Sequence, residues 1–246
     1  MSDDPLFHIH TGLPRQGPGS GQSTRRAIQL LRLLPSTPKI LDIGCGTGAQ
    51  TLILAGEFDG QVTAVDVHPP FLVELARNAA ARGLADRVET RCASMDALED
   101  PPQTYDLIWS EGAVFVIGVS RALELWRPLL KPGGALAFTE LSWLGSGRPS
   151  AALAFWDAAY PMMEGIEGNC EKARSAGFSV TAHFVLPAED WWTTYYNPLR
   201  RRVKKLRLHC EAGSELETAL EETEREIALF ERYAHAYGYV FYVLAH

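Results

Sequence analysis

The sequence is short of the features that mark membrane proteins and disulfide-rich proteins. No apolar run approaches the roughly 18 to 20 residues that a membrane span needs. The N-terminus, which begins Met1-Ser2-Asp3-Asp4, lacks a basic segment followed by an apolar core. The four cysteines are far apart and form no Cys-x-x-Cys pair, so neither a disulfide framework nor a zinc site is indicated. We expect a cytoplasmic protein with reduced cysteines.

Positive charge is also scarce, with 23 Lys and Arg against 30 Asp and Glu and a formal net charge of -7. Such a charge repels a phosphate backbone at long range, so a nucleic-acid partner is unlikely and a small molecule is expected. The basic run Arg200–Arg207 is the exception. Because it interleaves with Leu199, Val203 and Leu206 at helical spacing, we interpret it as a solvated helix face balanced by the glutamates of the next helix. The composition leaves a monomer and a homodimer equally open.

The chain is long enough for one sizeable α/β domain, and 46% hydrophobic with 22% charged residues is a globular composition. Short apolar runs alternate with helical stretches over roughly 100 residues, which predicts a parallel sheet with helices on both faces. The predicted strands are Lys39–Ile43, Gln61–Val65, Val88–Arg91, Tyr105–Trp109 and Gly134–Leu141. The predicted helices between and before them are Ser23–Leu34, Pro69–Arg82 and Val119–Leu130.

Beyond Leu141 the pattern changes. A long segment precedes a predicted strand over Phe178–Leu186, and helices are predicted from Glu189 and over Ser214–Tyr237. A last buried strand is predicted in Tyr239–Leu244. We therefore divide a single domain, 1–246, into an N-terminal arm (1–22), a ligand-binding core (23–141) and a region of substrate-side helices and last strands (142–246).

Three alternate glycines, Gly44, Gly46 and Gly48, join the first strand to the next helix. Glycine suits a turn whose backbone passes close to a ligand, as in dinucleotide-binding loops. Asp42 precedes the turn, where a carboxylate receives an ammonium group or orders the loop. Asp66 ends the second strand, either to accept the two hydroxyls of a ribose or to cap the helix that opens at Pro69-Pro70. The open alternatives are a nicotinamide-dependent oxidoreductase and a cofactor-binding module without catalysis.

Further landmarks follow in order: Cys92–Leu98, Tyr105–Gly112 and Leu129–Gly134. With Asp42–Gly48 and Asp66 they cover about residues 38–141, and over this part the sequence resembles the class I S-adenosylmethionine-dependent methyltransferases, in the small-molecule branch of the ubiquinone and menaquinone methyltransferases. The resemblance implies an α/β fold. It would be a doubly wound, Rossmann-like, seven-stranded and mostly parallel sheet with an antiparallel last strand, plus inserted C-terminal helices.

The resemblance further implies S-adenosylmethionine as cofactor, S-adenosylhomocysteine as product and direct in-line methyl transfer to a small-molecule acceptor, with no metal. Ser94, Met95 and Asp96 would line the adenine. The family usually has an acidic residue at the place of Ser94, so Asp96 would take over the contact to the exocyclic amine. The full predicted cofactor set is Asp42, Gly44, Cys45, Gly46, Gly48, Asp66, Val67, Ser94, Met95, Asp96, Ser110 and Glu111.

Glu111, at the end of the fourth strand, is the first candidate for orienting or deprotonating the acceptor. A helix cap, or a partner for an N-terminal arginine, would explain the same carboxylate. His183 and Tyr195 follow as weaker candidates for a general base. The aromatic run that contains Trp191, Tyr195 and Tyr196 is predicted to enclose the acceptor, with core packing or a dimer interface as alternatives.

The N-terminal run Leu13–Ser20 resembles an arm that folds over the cofactor in one subgroup of bacterial members, and an ordinary linker is the alternative. Gln16 in this run is predicted to contact substrate. His8 and His10 form a His-x-His pair, and without further ligands at suitable spacing a metal role is not expected.

Overall fold

The computed structural model describes residues 4–246, so residues 1–3 of the predicted arm lie outside the described residues. The strands are β1 (Lys39–Ile43), β2 (Gln61–Asp66), β3 (Val88–Cys92), β4 (Tyr105–Ser110), β5 (Leu130–Trp143), β6 (Glu164–Gly165), β7 (Ser179–Val185) and β8 (Tyr237–Ala245). The helices are α1 (Pro5–His10), α2 (Gly21–Gln29), α3 (Thr51–Glu57), α4 (Pro69–Ala81), α5 (Val119–Trp126), α6 (Ser150–Ala159), α7 (Ile166–Ser175), α8 (Ala188–Trp191), α9 (Asn197–Arg207) and α10 (Glu215–Tyr233).

The strands form one sheet in the order β3-β2-β1-β4-β5-β8-β7, and the two-residue β6 pairs with the end of β5. The pairs among β1 to β5 are parallel, and β8 runs antiparallel to both β5 and β7. The predicted fold class is therefore confirmed, with β6 as an unpredicted addition. The central β1, β4 and β8 are almost entirely buried, as expected for strands covered on both faces.

This topology sets where a ligand binds. In open α/β sheets, ligands occupy the crevice at the carboxyl ends of the strands, where the strand order reverses. Here the order reverses between β1 and β4. The turns that follow β1, β2 and β4 therefore meet at one edge of the sheet.

The predicted elements match the structure with shifted ends. The strand β1 has the predicted bounds, whereas β5 is longer at both ends than predicted. Helix α2, predicted over Ser23–Leu34, begins at Gly21 and ends at Gln29. Ser20 caps its start by accepting a hydrogen bond from Ser23 N at 3.1 Å. Helix α1 lies in the segment predicted only as an arm.

The C-terminal region packs on the sheet rather than apart from it. Trp191, Phe230 and Tyr239 belong to the same buried cluster as the sheet residues Trp109 and Phe241. The basic face of α9 is balanced as predicted, because Arg200 pairs with Glu231 of α10 at 2.9 Å. Within residues 4–246, no helix combines the length and apolar character that crossing a membrane requires.

Candidate functional site

The glycine turn after β1 brings three backbone segments together. Gly44 has φ +72°, and a Cβ at this position would lie 2.3 Å from the Cβ of Ala113, in the loop after β4. The amides of Gly44 and Cys45 both donate to the carbonyl of Val65, at 2.8 and 3.0 Å. Only glycine fits position 44, and the turn is held against β2 and the β4 loop at once.

Asp42 lies beneath this turn and is fully buried. Its Oδ2 accepts from the Thr51 hydroxyl at 2.5 Å, and its Oδ1 accepts from Gln50 Nε2 at 3.3 Å. Burial raises the pKa of Asp42 to about 7, although both hydrogen bonds act in the opposite direction. Of the two predicted roles, this geometry favours ordering of the loop, since both oxygens face the start of α3 rather than a ligand.

Asp66 ends β2 at the edge of the groove and is half-buried. Its Oδ2 accepts from Gly46 N and its Oδ1 from His68 N, both at 2.9 Å. Each carboxylate oxygen has a second acceptor site, so both remain able to receive a ligand hydroxyl. Because α4 begins at Pro69 and its N-cap is His68, Asp66 does not cap that helix. The next residue, Val67, is 52% exposed and offers an apolar surface beside this carboxylate.

The turn after β3 closes the same groove. The Ser94 hydroxyl donates to Asp96 Oδ1 at 2.5 Å, and both residues are exposed. The carbonyl of Met95 accepts from Trp126 Nε1 at 2.9 Å. The Met95 Cε atom lies 3.8 Å from the position that a Cβ on Gly44 would occupy. The structure thus brings the predicted residues Asp66, Val67, Ser94, Met95 and Asp96 to the groove beside the glycine turn.

Two predicted cofactor residues direct their side chains inward instead. The Cys45 thiol is buried in a cluster between β2 and α4. The Ser110 hydroxyl is buried and donates to the carbonyl of Ile43 at 2.9 Å, which ties the ends of β4 and β1 together. If these two residues contact a cofactor as predicted, they do so through the backbone.

The N-terminal arm reaches the glycine turn through Gln16. Its Oε1 accepts from Thr47 N at 3.0 Å and from the Thr47 hydroxyl at 3.1 Å. A Cβ on Gly46 would lie 2.5 Å from the same oxygen, so the arm lies directly on the turn. This placement favours a folded arm over an ordinary linker.

Glu111 anchors the arm. It is buried, and its Oε2 accepts from Arg15 Nη2 at 2.5 Å. Its Oε1 accepts from the Thr24 hydroxyl and from Trp109 Nε1, each at 2.8 Å. The predicted role as acceptor-deprotonating group is not supported, because every oxygen is already bonded inside the protein. The alternative of a partner for an N-terminal arginine is confirmed.

The predicted aromatic enclosure is also corrected in part. Trp191 is 2% exposed and stacks on Phe230 at 4.1 Å between ring centroids, and Tyr196 is fully buried with its hydroxyl on Glu226 at 2.7 Å. Both are core residues, which is the packing alternative. Tyr195 is buried too, and its hydroxyl lies 3.0 Å from Nε2 of His10.

The candidate histidines His183 and His10 lie on β7 and in α1. His183 is exposed on β7 and tilts toward the ring of Tyr242, 6.4 Å away, so it is not a base at this edge. His10 is held by Leu6 O and Tyr195. Among the described residues, His, Cys, Asp and Glu side chains form no group of three or more that is suited to hold a metal ion.

Comparison with known proteins agrees with this geometry. Residues 40–134 match the family described as "Methyltransferase domain". Over this part the chain is similar to methyltransferase domains. It is 31% identical over 123 residues to phosphoethanolamine N-methyltransferase 3 of Arabidopsis thaliana, covering 50% of this chain and 24% of that protein. It is 28% identical over 186 residues to 2-methyl-6-phytyl-1,4-hydroquinone methyltransferase of Synechocystis, covering 66% of this chain and 54% of that protein.

A solved structure of a methyltransferase from Geobacter sulfurreducens, in complex with S-adenosyl-L-homocysteine, shares the fold of the methyltransferase domain. The TM-score is 0.82 at 18% identity, with 98% of this chain and 96% of that chain covered. The chain spans between about a quarter and about half of the length of the curated relatives given above. The predicted fold is confirmed, and the predicted family is supported over residues 40–134.

One buried acid, Glu140, was not predicted as a candidate functional residue. Glu140 lies near the carboxyl end of β5, with Tyr160, which follows α6, close to it. The sequence did carry a signal, since Glu140 and Thr139 interrupt an otherwise apolar run from Ala135 to Leu141 in a predicted buried strand. A charged residue in such a run is rare unless it is paired or functional.

Proposed function

We propose that the protein is an S-adenosylmethionine-dependent methyltransferase that transfers a methyl group directly, in line, to a small-molecule acceptor. The observation that carries this proposal is Asp66. It ends β2, which is the neighbour of β1 at the point where the strand order reverses between β1 and β4; it is fixed by Gly46 N and His68 N, and keeps free acceptor capacity toward the groove. The resemblance of the ordered landmarks to methyltransferases supports it.

The residues present fit this cofactor. Asp66 would accept the two ribose hydroxyls, and Val67 and Met95 would cover the faces of the adenine, with Ser94 or Asp96 at its exocyclic amine. The turn from Gly44 to Gly46 leaves its backbone open to close approach. The bound cofactor supplies an electrophilic methyl group on its sulfonium.

The protein then mainly has to hold the acceptor and exclude water, and positioning of this kind supplies about 7–11 kcal/mol. The arm that Gln16 and Arg15 fasten over the turn would contribute to water exclusion. A cytoplasmic location belongs to the proposal, because all four cysteines, which lie in the described part of the chain, are free thiols.

The first experiment is titration calorimetry of S-adenosylmethionine with the wild type and with Asp66→Ala. Hydrogen bonds to charged groups contribute about 1.5–3 kcal/mol, so the variant should bind at least about tenfold more weakly. Asp59→Ala is the matched control, since Asp59 is exposed at the opposite end of β2 and pairs only with Arg87.

Two outcomes would contradict the proposal. A folded wild type that binds NAD but not S-adenosylmethionine would favour the oxidoreductase alternative. A wild type that binds S-adenosylmethionine but forms no S-adenosylhomocysteine with any fraction of a metabolite extract, followed by mass spectrometry, would favour the module without catalysis.

A further inference from the structure

Glu140 is a buried acid with an unused oxygen. Its side chain is on β5 and the residue is 1% exposed. Its Oε1 accepts from the backbone amide of Leu141 at 3.0 Å, whereas its Oε2 is buried and makes no well-formed hydrogen bond among the described residues, although the Tyr160 hydroxyl lies close enough to lower the pKa of this acid. Buried polar atoms in proteins are nearly always bonded, and leaving one unbonded costs about 1–3 kcal/mol or more. An unbonded carboxylate oxygen therefore indicates a partner that is brought by a ligand.

The position of Glu140 suits an acceptor site. Phe138 of β5 pairs with Ser110, the last residue of β4, so Glu140 lies two residues beyond the end of β4 at the carboxyl edge. The neighbouring Thr139 accepts from Gly112 N at 2.8 Å, and Gly112 belongs to the loop whose Ala113 contacts the glycine turn. The carboxyl end of β5, where Glu140 lies, is thus joined to the loop beside the groove proposed for the cofactor.

Exposed apolar side chains lie close to Tyr160, the neighbour of Glu140. Tyr160 is buried near this acid, and the ring of Phe115 meets the Tyr160 ring edge-on at 6.2 Å. Phe115 and Met162 are 42% and 51% exposed. Met162 also lies against Gly118, where a Cβ would be 3.1 Å from its Cε. The loop after β4 and the segment after α6 thus bring apolar side chains and a buried acid to the same end of the sheet, and apolar surface with a few polar groups is the usual make-up of a small-molecule site.

We propose that Glu140 and Tyr160 form the acceptor subsite and that it takes a small primary or secondary amine with an apolar body. This inference rests on the proposed function. A ligand with a carboxylate or phosphate group would place a second negative charge beside Glu140. The nearby Lys172 would not neutralise it, because Lys172 pairs with Glu164 at 3.5 Å. An alcohol would supply a hydrogen bond alone, whereas an ammonium group supplies both a donor and the positive charge that stabilises the ionised form of a buried acid whose pKa is raised to about 8.

The same acid explains how an amine is made reactive. An ammonium nitrogen has no lone pair, so Glu140 first accepts one proton from it and becomes neutral. The nitrogen lone pair then forms the N–C bond to the methyl group, the C–S bond breaks, and its electron pair stays on sulfur, which gives S-adenosylhomocysteine. The proton passes from Glu140 to solvent when the methylated ammonium product leaves. Burial raises the pKa of Glu140 to about 8, which brings it closer than an exposed glutamate to the value of an alkylammonium group, about 10.4 for a lysine side chain.

The test uses the full chain saturated with S-adenosylhomocysteine. Methylamine, butylamine, benzylamine and 2-phenylethylamine, each matched with its alcohol and its carboxylic acid, are titrated by calorimetry, and S-adenosylhomocysteine release from S-adenosylmethionine is measured separately. We expect at least one apolar amine to bind ten times more tightly than its matched alcohol. Glu140→Gln should remove at least tenfold of that affinity while S-adenosylmethionine binds as in the wild type.

Glu226→Gln is the matched control, because Glu226 is a half-buried acid whose Oε1 already accepts from the Tyr196 hydroxyl; this variant should keep amine affinity. If Glu140→Gln fails to fold, Tyr160→Phe, which removes one hydroxyl, should still weaken amine binding. The inference is overturned if no amine binds better than its alcohol, or if Glu140→Gln binds amines as the wild type does. Failure of the proposed function would give a different result from failure of this inference, because the wild type would then not bind S-adenosylmethionine.

Discussion

Single residues set the pH dependence of this fold. Burial raises the pKa of Glu140 from 4.5 to about 8, against the effects of the Tyr160 hydroxyl and of Lys172. An acid with a raised pKa in the folded state loses its proton more easily on unfolding, so stability falls as pH rises from about 4.5 to 8. One such group contributes about 1.4 kcal/mol per pH unit.

We therefore expect Glu140→Gln to be more stable than the wild type at pH 8 by a few kcal/mol, and to gain little at pH 5. The pKa of Asp42 is raised from 3.8 to about 7. Asp42 therefore also makes stability fall with rising pH, equally in both proteins, and this effect ends above pH 7. Urea unfolding at pH 5, 6.5, 7.5 and 8.5 checks this. The exposed Glu99→Gln should follow the wild-type pH dependence; an unchanged slope in Glu140→Gln would contradict the expectation.

Among single residues, the sequence predicted those that line the groove better than those buried beneath it. Asp66 and Val67 were placed at the groove because they stand at the end of a strand, at a recognisable distance from three glycines. The role of Glu111 was not decidable, because its partners Arg15 and Thr24 lie 96 and 87 residues away in the chain. Only folding shows that such distant residues meet.

At the scale of elements, the arm and the sheet are coupled through one buried ion pair. Removing one partner of a buried pair leaves an uncompensated charge and typically costs 3–5 kcal/mol. We expect Arg15→Met and Glu111→Gln to destabilise the protein by roughly this much each, and the double variant to be destabilised by clearly less than their sum.

A double-mutant cycle by urea unfolding measures that coupling, which we expect to reach about 1.5 kcal/mol or more. The exposed pair of Arg25 and Glu57, at 2.7 Å, is the matched control and should couple by less than about 1 kcal/mol. Additive effects of Arg15 and Glu111 would show that the arm is not held by this pair.

The aromatic segment from α8 into α9 is a second element whose role is structural. Trp191 is stacked between Phe230 and Tyr239, whereas Trp192 is half-buried beneath Arg200, 4.9 Å from its ring. Trp191→Ala should cost about 3–5 kcal/mol and Trp192→Ala clearly less. Calorimetric melting compares the two variants. A stable Trp191→Ala that loses only acceptor binding would restore the predicted substrate role.

Element types were predictable where local pattern and tertiary packing agree. The strand β1 is buried from Ile40 to Ile43 and its bounds were predicted. Other elements were predicted less well. The segment Trp192–Tyr196 adopts a wide helical turn that no local signal marks, and α2 ends at Gln29 with no glycine or proline next to it. Helix α1 is short and depends on contacts with α9 and α10.

At the scale of the whole molecule, the candidate site draws on parts of the chain that are far apart in sequence. Gln16 and Arg15 come from the arm, Asp66 from the end of β2, Glu140 from β5, and Tyr160 from the segment after α6. A ligand that bridges these parts stabilises the entire fold, because it binds the folded state and not the unfolded chain. Cofactor binding should therefore register in global unfolding.

At one hundred times its dissociation constant, S-adenosylmethionine should stabilise the protein by about 2.7 kcal/mol. For a chain of this size that corresponds to a rise in Tm of roughly 5 to 10 °C, readable by differential scanning calorimetry. NAD at the same concentration should leave Tm unchanged, and Asp66→Ala should need at least tenfold more S-adenosylmethionine for the same rise. An equal rise with NAD would show that the groove selects a nucleotide in general, and the methyltransferase proposal would then lose its main support.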